Sequence, residues 1–149
     1  MGLYAQTPAP PYRVIQKYLD SITATDTFEL KTSIPDCGEW GGHNEHIYLY
    51  KNKTGSLCYT FRVEDSTCMT MLFKEKDPDK FYYGISKKGS EKYYKSFLSD
   101  LYHYDMEKEE AWNAFYYFEI RFRGKLVGAH PTYAHWGEYE KLRKKVIVY

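Results

Sequence analysis

The sequence IYLYKNKTGSLCYTFRVE, residues 47–64, decides the class of fold. Apolar and polar residues alternate on both sides of a turn-forming segment, Asn52-Lys53-Thr54-Gly55. Alternation of this kind is typical of strands with one buried face, and glycine readily adopts the positive φ that such turns use. The stretch therefore predicts an antiparallel β-hairpin.

Alternating residues predict further strands on either side of this hairpin. The clearest are Phe28–Ile34 and Ala114–Phe122, where apolar side chains recur at every second position. Shorter apolar runs indicate additional strands at Met69–Lys74, Phe81–Ile85 and Leu126–Val127. Because short turns join several of these segments, we expect the strands to pair antiparallel.

Helical spacing of apolar residues predicts three helices, at residues 12–22, 90–105 and 132–146. Ser90 and Thr132 are placed to cap the second and third of these. The arrangement predicts an α+β fold: an antiparallel sheet of about five or six strands, with the N-terminal, middle and C-terminal helices packed mainly on one face. We expect residues 12–149 to form this single domain and residues 1–11 to be a flexible N-terminus.

The amino-acid composition argues against some classes of function. The chain has 149 residues, enough for one domain with a proper core. Aromatic residues make up 19% of it and 17 of them are tyrosines, which suit both strand faces and recognition surfaces. A net charge of +1 argues against nucleic-acid binding, and no apolar stretch is long enough to span a membrane.

The N-terminus and the cysteines bear on the compartment. Leu3 and Ala5, followed by a proline-rich segment, look like the end of a secretory signal peptide. We therefore expect a bacterial protein that is exported, to the periplasm or the medium, rather than cytoplasmic. An exported chain with Cys37, Cys58 and Cys68 could carry one disulfide and one free thiol, and the sequence does not choose the pair.

The segment from Pro35 to His46, which we expect to form a loop between two strands, is the most unusual in the chain. It holds three of the ten glycines, which allow backbone conformations that a side chain would forbid. Trp40 lies between these glycines, and two roles stay open for it: a plug over the end of the core, or an exposed anchor for a ligand. If it is an anchor, the predicted binding surface consists of Trp40, Glu39, His43, Glu45, Tyr48, His135 and Trp136.

The same segment offers metal ligands. Imidazole and thiolate groups are the ligands that zinc uses, and histidines occur in two clusters along the chain. The spacing matches neither a helical His-Glu-x-x-His motif nor a Cys-x-x-Cys pair. The candidate ligands are His43, His46, His130, His135 and Cys37. Cys37 with His43 or His130 is also a conceivable nucleophile and base.

These observations favour a small non-catalytic interaction domain that binds a protein partner near residues 37–46 and needs no cofactor. An immunity or inhibitor protein is a concrete form of this hypothesis. One alternative is a metal-dependent hydrolase or a structural-metal domain, with zinc held by the histidines. Another is a carbohydrate-binding module, in which exposed aromatic rings stack on sugars. The sequence leans against an enzyme because phosphate-binding and Gly-x-Ser-x-Gly motifs are absent.

Overall fold

A computed structural model of the chain describes residues 11–37, 42–65, 77–104, 115–133 and 136–149. The helices and strands within these ranges follow one another in this order: α1 (Pro11–Asp20), β1 (Phe28–Ile34), β2 (His43–Lys51), β3 (Leu57–Val63), β4 (Lys80–Ile85), α2 (Glu91–His103), β5 (Phe115–Phe122), β6 (Lys125–Tyr133) and α3 (Glu138–Val146).

The six strands form one antiparallel sheet in the order β4-β3-β2-β1-β5-β6. Strands β2 and β3 are the predicted hairpin, and Gly55 in their turn has a φ of +79°. Strand β2 begins at His43, whereas the sequence predicted a loop as far as His46. The reason is that β2 continues to pair with β1 up to the Ile34–His43 position.

One face of the sheet carries the core. Its side chains come from alternate strand positions, and the largest fully buried ones include Phe28, Phe61 and Phe118. All three helices pack on this face: the rings of Phe97 in α2 and Tyr139 in α3 lie 5.5 and 5.8 Å from that of Phe118, and α1 contacts β6 and α2. The predicted α+β fold with helices on one face is confirmed. Among the described helices, none is long and apolar enough to cross a membrane.

The opposite face, called here the open face, carries charged and aromatic side chains. Large apolar groups project from it at Phe81, Tyr83 and Ile85 of β4 and at Tyr117 of β5, all of them exposed. These positions alternate with the buried ones because successive side chains in a strand point to opposite sides.

Of the two predicted helix caps, Thr132 is wrong and Ser90 is in the predicted position. Thr132 lies inside β6 and is fully buried, because this strand pairs with β5 as far as the Phe115–Tyr133 position. Helix α3 consequently begins only at Glu138. Ser90 is the N-cap residue of α2, but its hydroxyl donates to the carbonyl of Lys87 at 2.6 Å and makes no capping hydrogen bond. The predicted strand at Met69–Lys74 lies outside the described residues.

Candidate functional site

A cleft opens at the end of the sheet where β1 and β3 end and where β2 and β4 begin. Its volume is about 250 Å³. Two described residues of the segment from Pro35 to His46, Asp36 and His43, contribute to it. Its lining consists of Asp36, His43, Val63, Glu64, Asp65, Asp77, Pro78 and Lys80. Four carboxylates thus face one lysine and one histidine, so the cleft is predominantly acidic.

Hydrogen bonds hold the acidic wall in place. The Glu64 carboxylate accepts from Asn44 Nδ2 at 3.1 Å and pairs with Arg62 Nη2 at 3.0 Å. The Asp65 carboxylate accepts from the backbone N–H of Asp77 at 2.7 Å, which joins the segments that follow β3 and precede β4. The carboxylates of Glu64 and Asp65 are therefore held in place.

His43 lies between two carboxylates. Its Nδ1 is hydrogen-bonded to the Asp36 carboxylate, and its Nε2 is 3.1 Å from Oε1 of Glu45. Carboxylates only accept hydrogen bonds, so both ring nitrogens donate here. The hydrogen bond to Glu45 raises the pKa of His43 above its usual range, Asp36 adds to this, and partial burial opposes it. The geometry thus favours the imidazolium.

Glu45 is a carboxylate inside the core, with only 2% of its surface exposed. The Tyr139 hydroxyl donates to its Oε2 at 2.7 Å, and Arg143 Nη1 donates to its Oε1 at 2.5 Å. Burial by itself would raise the pKa of Glu45. The hydrogen bonds from His43 and Tyr139 and the charge of Arg143 outweigh it, so the pKa is lowered. The five residues Asp36, His43, Glu45, Tyr139 and Arg143 are called the Glu45 cluster below.

The regular spacing of side chains along a strand and along a helix brings the residues of this cluster together. His43 and Glu45 are two apart in β2 and share the core face of the sheet. Tyr139 and Arg143 are four residues apart in α3 and therefore lie on the same side of the helix, about one turn apart. The cluster ties the base of the cleft to a helix that is remote in sequence.

A second charged group lies on the open face. His46 Nδ1 is 2.8 Å from Glu29 Oε1, and its Nε2 is 2.9 Å from Glu64 Oε1. The hydrogen bond from His46 lowers the pKa of Glu29. Arg62 bridges Glu64 and Asp79, at 3.0 and 2.8 Å. Glu64 thus belongs both to this group and to the cleft.

The structure does not bring the described candidate metal ligands together. His43 and His46 point to opposite faces of the sheet, since they are three apart in one strand. His130 lies on β6, three inter-strand spacings or about 14 Å from β2. Its ring is 4.0 Å from that of Tyr102, and burial lowers its pKa. His135 lies outside the described residues.

Cys37 is disulfide-bonded, so it supplies neither a thiolate ligand nor a nucleophile. Cys58 is a buried free thiol, and Cys68 lies outside the described residues. Within the ranges described, no group of three or more His, Cys, Asp or Glu side chains is placed to hold a metal ion.

The residues predicted to form a binding surface have different positions. His43 lines the cleft, and Tyr48 is half-buried on the open face, with its ring 5.8 Å from that of His46. Glu45 faces the core instead. Trp136 packs on Phe97 at 5.6 Å, so it belongs to the core periphery. Trp40, Glu39 and His135 lie outside the described residues.

Most of the residues that form the acidic wall were not predicted from the sequence. Glu64, Asp65 and Asp77 line the cleft, and Tyr139 and Arg143 support it. Their signal was weak, because a carboxylate at the end of a strand or beside a proline is an ordinary feature of turns. Only the antiparallel pairing of β1, β2, β3 and β4 brings these separate segments to one end of the sheet.

Tyr139→Phe is expected to destabilise the fold by about 1.5 to 3 kcal/mol, because it removes a hydrogen bond to a buried carboxylate. Tyr94→Phe is the matched control. That tyrosine is equally buried, and its hydroxyl has no hydrogen-bond partner among the described residues. Its removal is expected to change the free energy of unfolding by less than about 1 kcal/mol. Urea denaturation measures both variants, and equal losses would contradict the role given to Tyr139.

The stability that His43 contributes depends on pH. The pKa of His43 is raised in the folded state. The stability that this residue contributes is therefore complete at pH values below its ordinary pKa of 6.5, and it is lost as the pH rises through the raised pKa of the folded state. Glu45 behaves oppositely, since its lowered pKa gives stability above 4.5 that is lost in acid.

We therefore expect the difference in unfolding free energy between the parent chain and His43→Asn to be largest between pH 4.5 and 6.5. It should shrink as pH rises further. Urea denaturation at pH steps from 4 to about 9 measures it. A difference that stays constant or grows across the alkaline range would show that His43 is not held as an imidazolium.

Comparison with known proteins supplies no relative: no protein family, no curated protein and no solved structure matches this chain. The function is therefore inferred from the cleft and the open face alone.

Proposed function

We propose that this chain is a small non-catalytic interaction domain that binds a protein partner at the acidic cleft, with a basic side chain of the partner entering it. The observation that carries the proposal is a cleft lined by four carboxylates, Asp36, Glu64, Asp65 and Asp77. A lysine or arginine of a partner complements such a site in charge, and arginine can also form bidentate hydrogen bonds to carboxylates.

The size of the cleft supports a side chain as its occupant. A volume of about 250 Å³ lies below the range of roughly 300 to 1,000 Å³ that is usual for small-molecule sites. One long side chain anchored in a pocket, surrounded by flatter contacts, is a common pattern in protein interfaces. The neighbouring open face provides such contacts through its exposed aromatic side chains.

The state of His43 supports a non-catalytic role. A general base needs a lone pair on a ring nitrogen, and both nitrogens of His43 are engaged with carboxylates. Its raised pKa favours the protonated ring, chiefly because of the hydrogen bond to Glu45. The imidazolium serves instead to balance the charges of Asp36 and Glu45.

We propose further that the protein acts outside the cytoplasm. The disulfide at Cys37 supports this, because disulfides persist in oxidising compartments. An immunity or inhibitor protein that blocks a basic surface of an enzyme is one function that combines export with an acidic cleft.

Binding at the cleft is testable with a defined probe, the peptide Gly-Arg-Gly, followed by two-dimensional NMR at low salt. We expect chemical-shift changes centred on Asp36, His43, Asp65 and Asp77, and a weaker response at higher salt because screening reduces the attraction. The matched peptide Gly-Glu-Gly should cause none of these changes.

The variant Asp77→Asn is expected to weaken the response to the arginine peptide by severalfold, since it removes one charge from the wall. Glu91→Gln is the control, as Glu91 is an exposed carboxylate on α2 away from the cleft. Shifts spread over the whole surface, or an equal response in both variants, would contradict binding at the cleft.

A second candidate function is carbohydrate binding, which one observation favours. Phe81 and Tyr83 are both exposed on the open face, and their rings are within 11° of parallel with centroids 6.3 Å apart. Exposed parallel rings offer apolar surfaces on which sugar rings can pack. This site is separate from the cleft.

For this candidate we expect the protein to be retained by at least one of cellulose, chitin or xylan in a sedimentation assay. Phe81→Ala should abolish retention, because it removes one of the two rings. Tyr117→Ala should preserve it, since Tyr117 is exposed on the same face but lies on β5. Absence of retention on all three polysaccharides would remove the candidate.

A further inference from the structure

The two edges of the sheet differ in how they are protected. Strands β4 and β6 are the outer strands of the sheet formed by the described residues. Strand β6 contains Pro131, which has no N–H to offer, and its pairing with β5 is interrupted by a register shift at Ile120/Arg121. Both features discourage pairing with another strand. Strand β4 has neither proline nor a register shift in its pairing with β3.

The backbone of β4 directs hydrogen-bonding groups towards this edge. The N–H of Ser86 donates to the carbonyl of Leu57 in β3 at 2.8 Å. Because hydrogen-bonded and non-hydrogen-bonded pairs alternate along an antiparallel ladder, the even-numbered residues of β4 bond to β3. The N–H and C=O groups of Phe81, Tyr83 and Ile85 therefore point away from it.

The side chains of these three residues are also exposed, at 48%, 68% and 67% respectively. Large apolar groups on an edge strand with outward backbone groups are the usual features of a strand that pairs with another chain. The question is which chain provides the partner strand.

We propose that β4 pairs antiparallel with β4 of a second copy of this chain, about a two-fold axis at Tyr83. In this register Tyr83 lies opposite its own counterpart and Phe81 lies opposite Ile85. All three are residues whose backbone groups face the edge, so the ladder is self-complementary. Antiparallel neighbours point to the same face, so the exposed apolar side chains of both copies meet on the open face.

Charge complementarity identifies the partner as a second copy. Asp79 precedes β4 and is paired with Arg62 of its own copy through one carboxylate oxygen, Oδ2, and the exposed Lys87 follows the strand. Two-fold pairing about Tyr83 places Asp79 of each copy opposite Lys87 of the other, which gives an attractive pair at both ends of the interface. The residues that flank the strand are therefore complementary when the strand is reversed, and Lys80, the first residue of β4, lies opposite Ser86 and meets no like charge.

The product is one continuous sheet made from two six-stranded sheets. Because the axis is perpendicular to the sheet, the helices of both copies cover the same side and both open faces look the same way. The pairing does not use the cleft residues Asp36, His43 or Asp65, so it is compatible with binding at the cleft. It does use Phe81 and Tyr83, so a dimer and a sugar would compete for these two side chains.

The test is sedimentation equilibrium of the full chain from about 1 to about 500 μM. We expect a reversible dimer. Tyr83→Lys should raise its dissociation constant at least about tenfold, because it places two like charges on opposite sides of the axis. Leu126→Lys is the matched control, as Leu126 is 54% exposed on the other edge strand, and it should leave dimerisation unchanged.

Covalent capture tests the register without depending on the charged variant. Opposed residues in a hydrogen-bonded antiparallel pair have Cα atoms about 5.5 Å apart, within disulfide range. Tyr83→Cys should form a covalent dimer under mild oxidation, and Leu126→Cys should not. A chain that stays monomeric at all concentrations, a dimer unaffected by Tyr83→Lys, or equal cross-linking of the two cysteine variants would overturn the proposal.

Discussion

The Glu45 carboxylate lies in the core, and the end of the sheet is arranged around it. A buried carboxylate is costly unless it is paired and hydrogen-bonded. The Glu45 carboxylate accepts hydrogen bonds from the hydroxyl of Tyr139, the guanidinium of Arg143 and the imidazole of His43. Removing one partner of a buried ion pair of this kind typically costs about 3 to 5 kcal/mol, since the remaining charge is left uncompensated. Strand β2 and helix α3 are therefore held in one relative position.

This constraint extends to the surface. His43 is hydrogen-bonded to both Glu45 and Asp36, so it links the buried carboxylate to a residue that lines the cleft just after β1 ends. On the opposite face, His46 joins Glu29 to Glu64, and Glu64 is also part of the cleft wall. Two histidines of one strand thus fix carboxylates on both sides of the sheet. A cleft in which the carboxylates of Asp36, Glu64 and Asp65 are held before binding suits recognition, because little ordering of these groups is required when a partner arrives.

Much of the fold could be predicted because alternation and helical spacing report directly which faces are buried. The hairpin at residues 47–64 shows this well. Prediction was wrong where pairing with a neighbour overrode the local signal. Thr132 was predicted to cap a helix, but it pairs with Tyr116 of β5 in the sheet. The segment up to His46 was predicted to be a loop because of its glycines, although from His43 onward its backbone continues the ladder with β1.

The site was harder to predict for a related reason. His43 and Glu45 were recognised as ionisable residues in an unusual segment, but nothing local shows that their partners are Tyr139 and Arg143. A tyrosine and an arginine four apart on a helix are ordinary surface residues unless the helix faces a buried acid. The acidic wall likewise depends on chain segments that only the sheet order brings together.

The charge state of His43 tests this account most directly. Long-range ¹H–¹⁵N NMR spectra of the imidazole, recorded at pH 7, distinguish a doubly protonated ring from either neutral tautomer. The account predicts that both nitrogens are protonated, because each faces a carboxylate and the pKa is raised. A neutral ring at this pH would contradict it, since the charge balance around Glu45 would then rest on Arg143 alone.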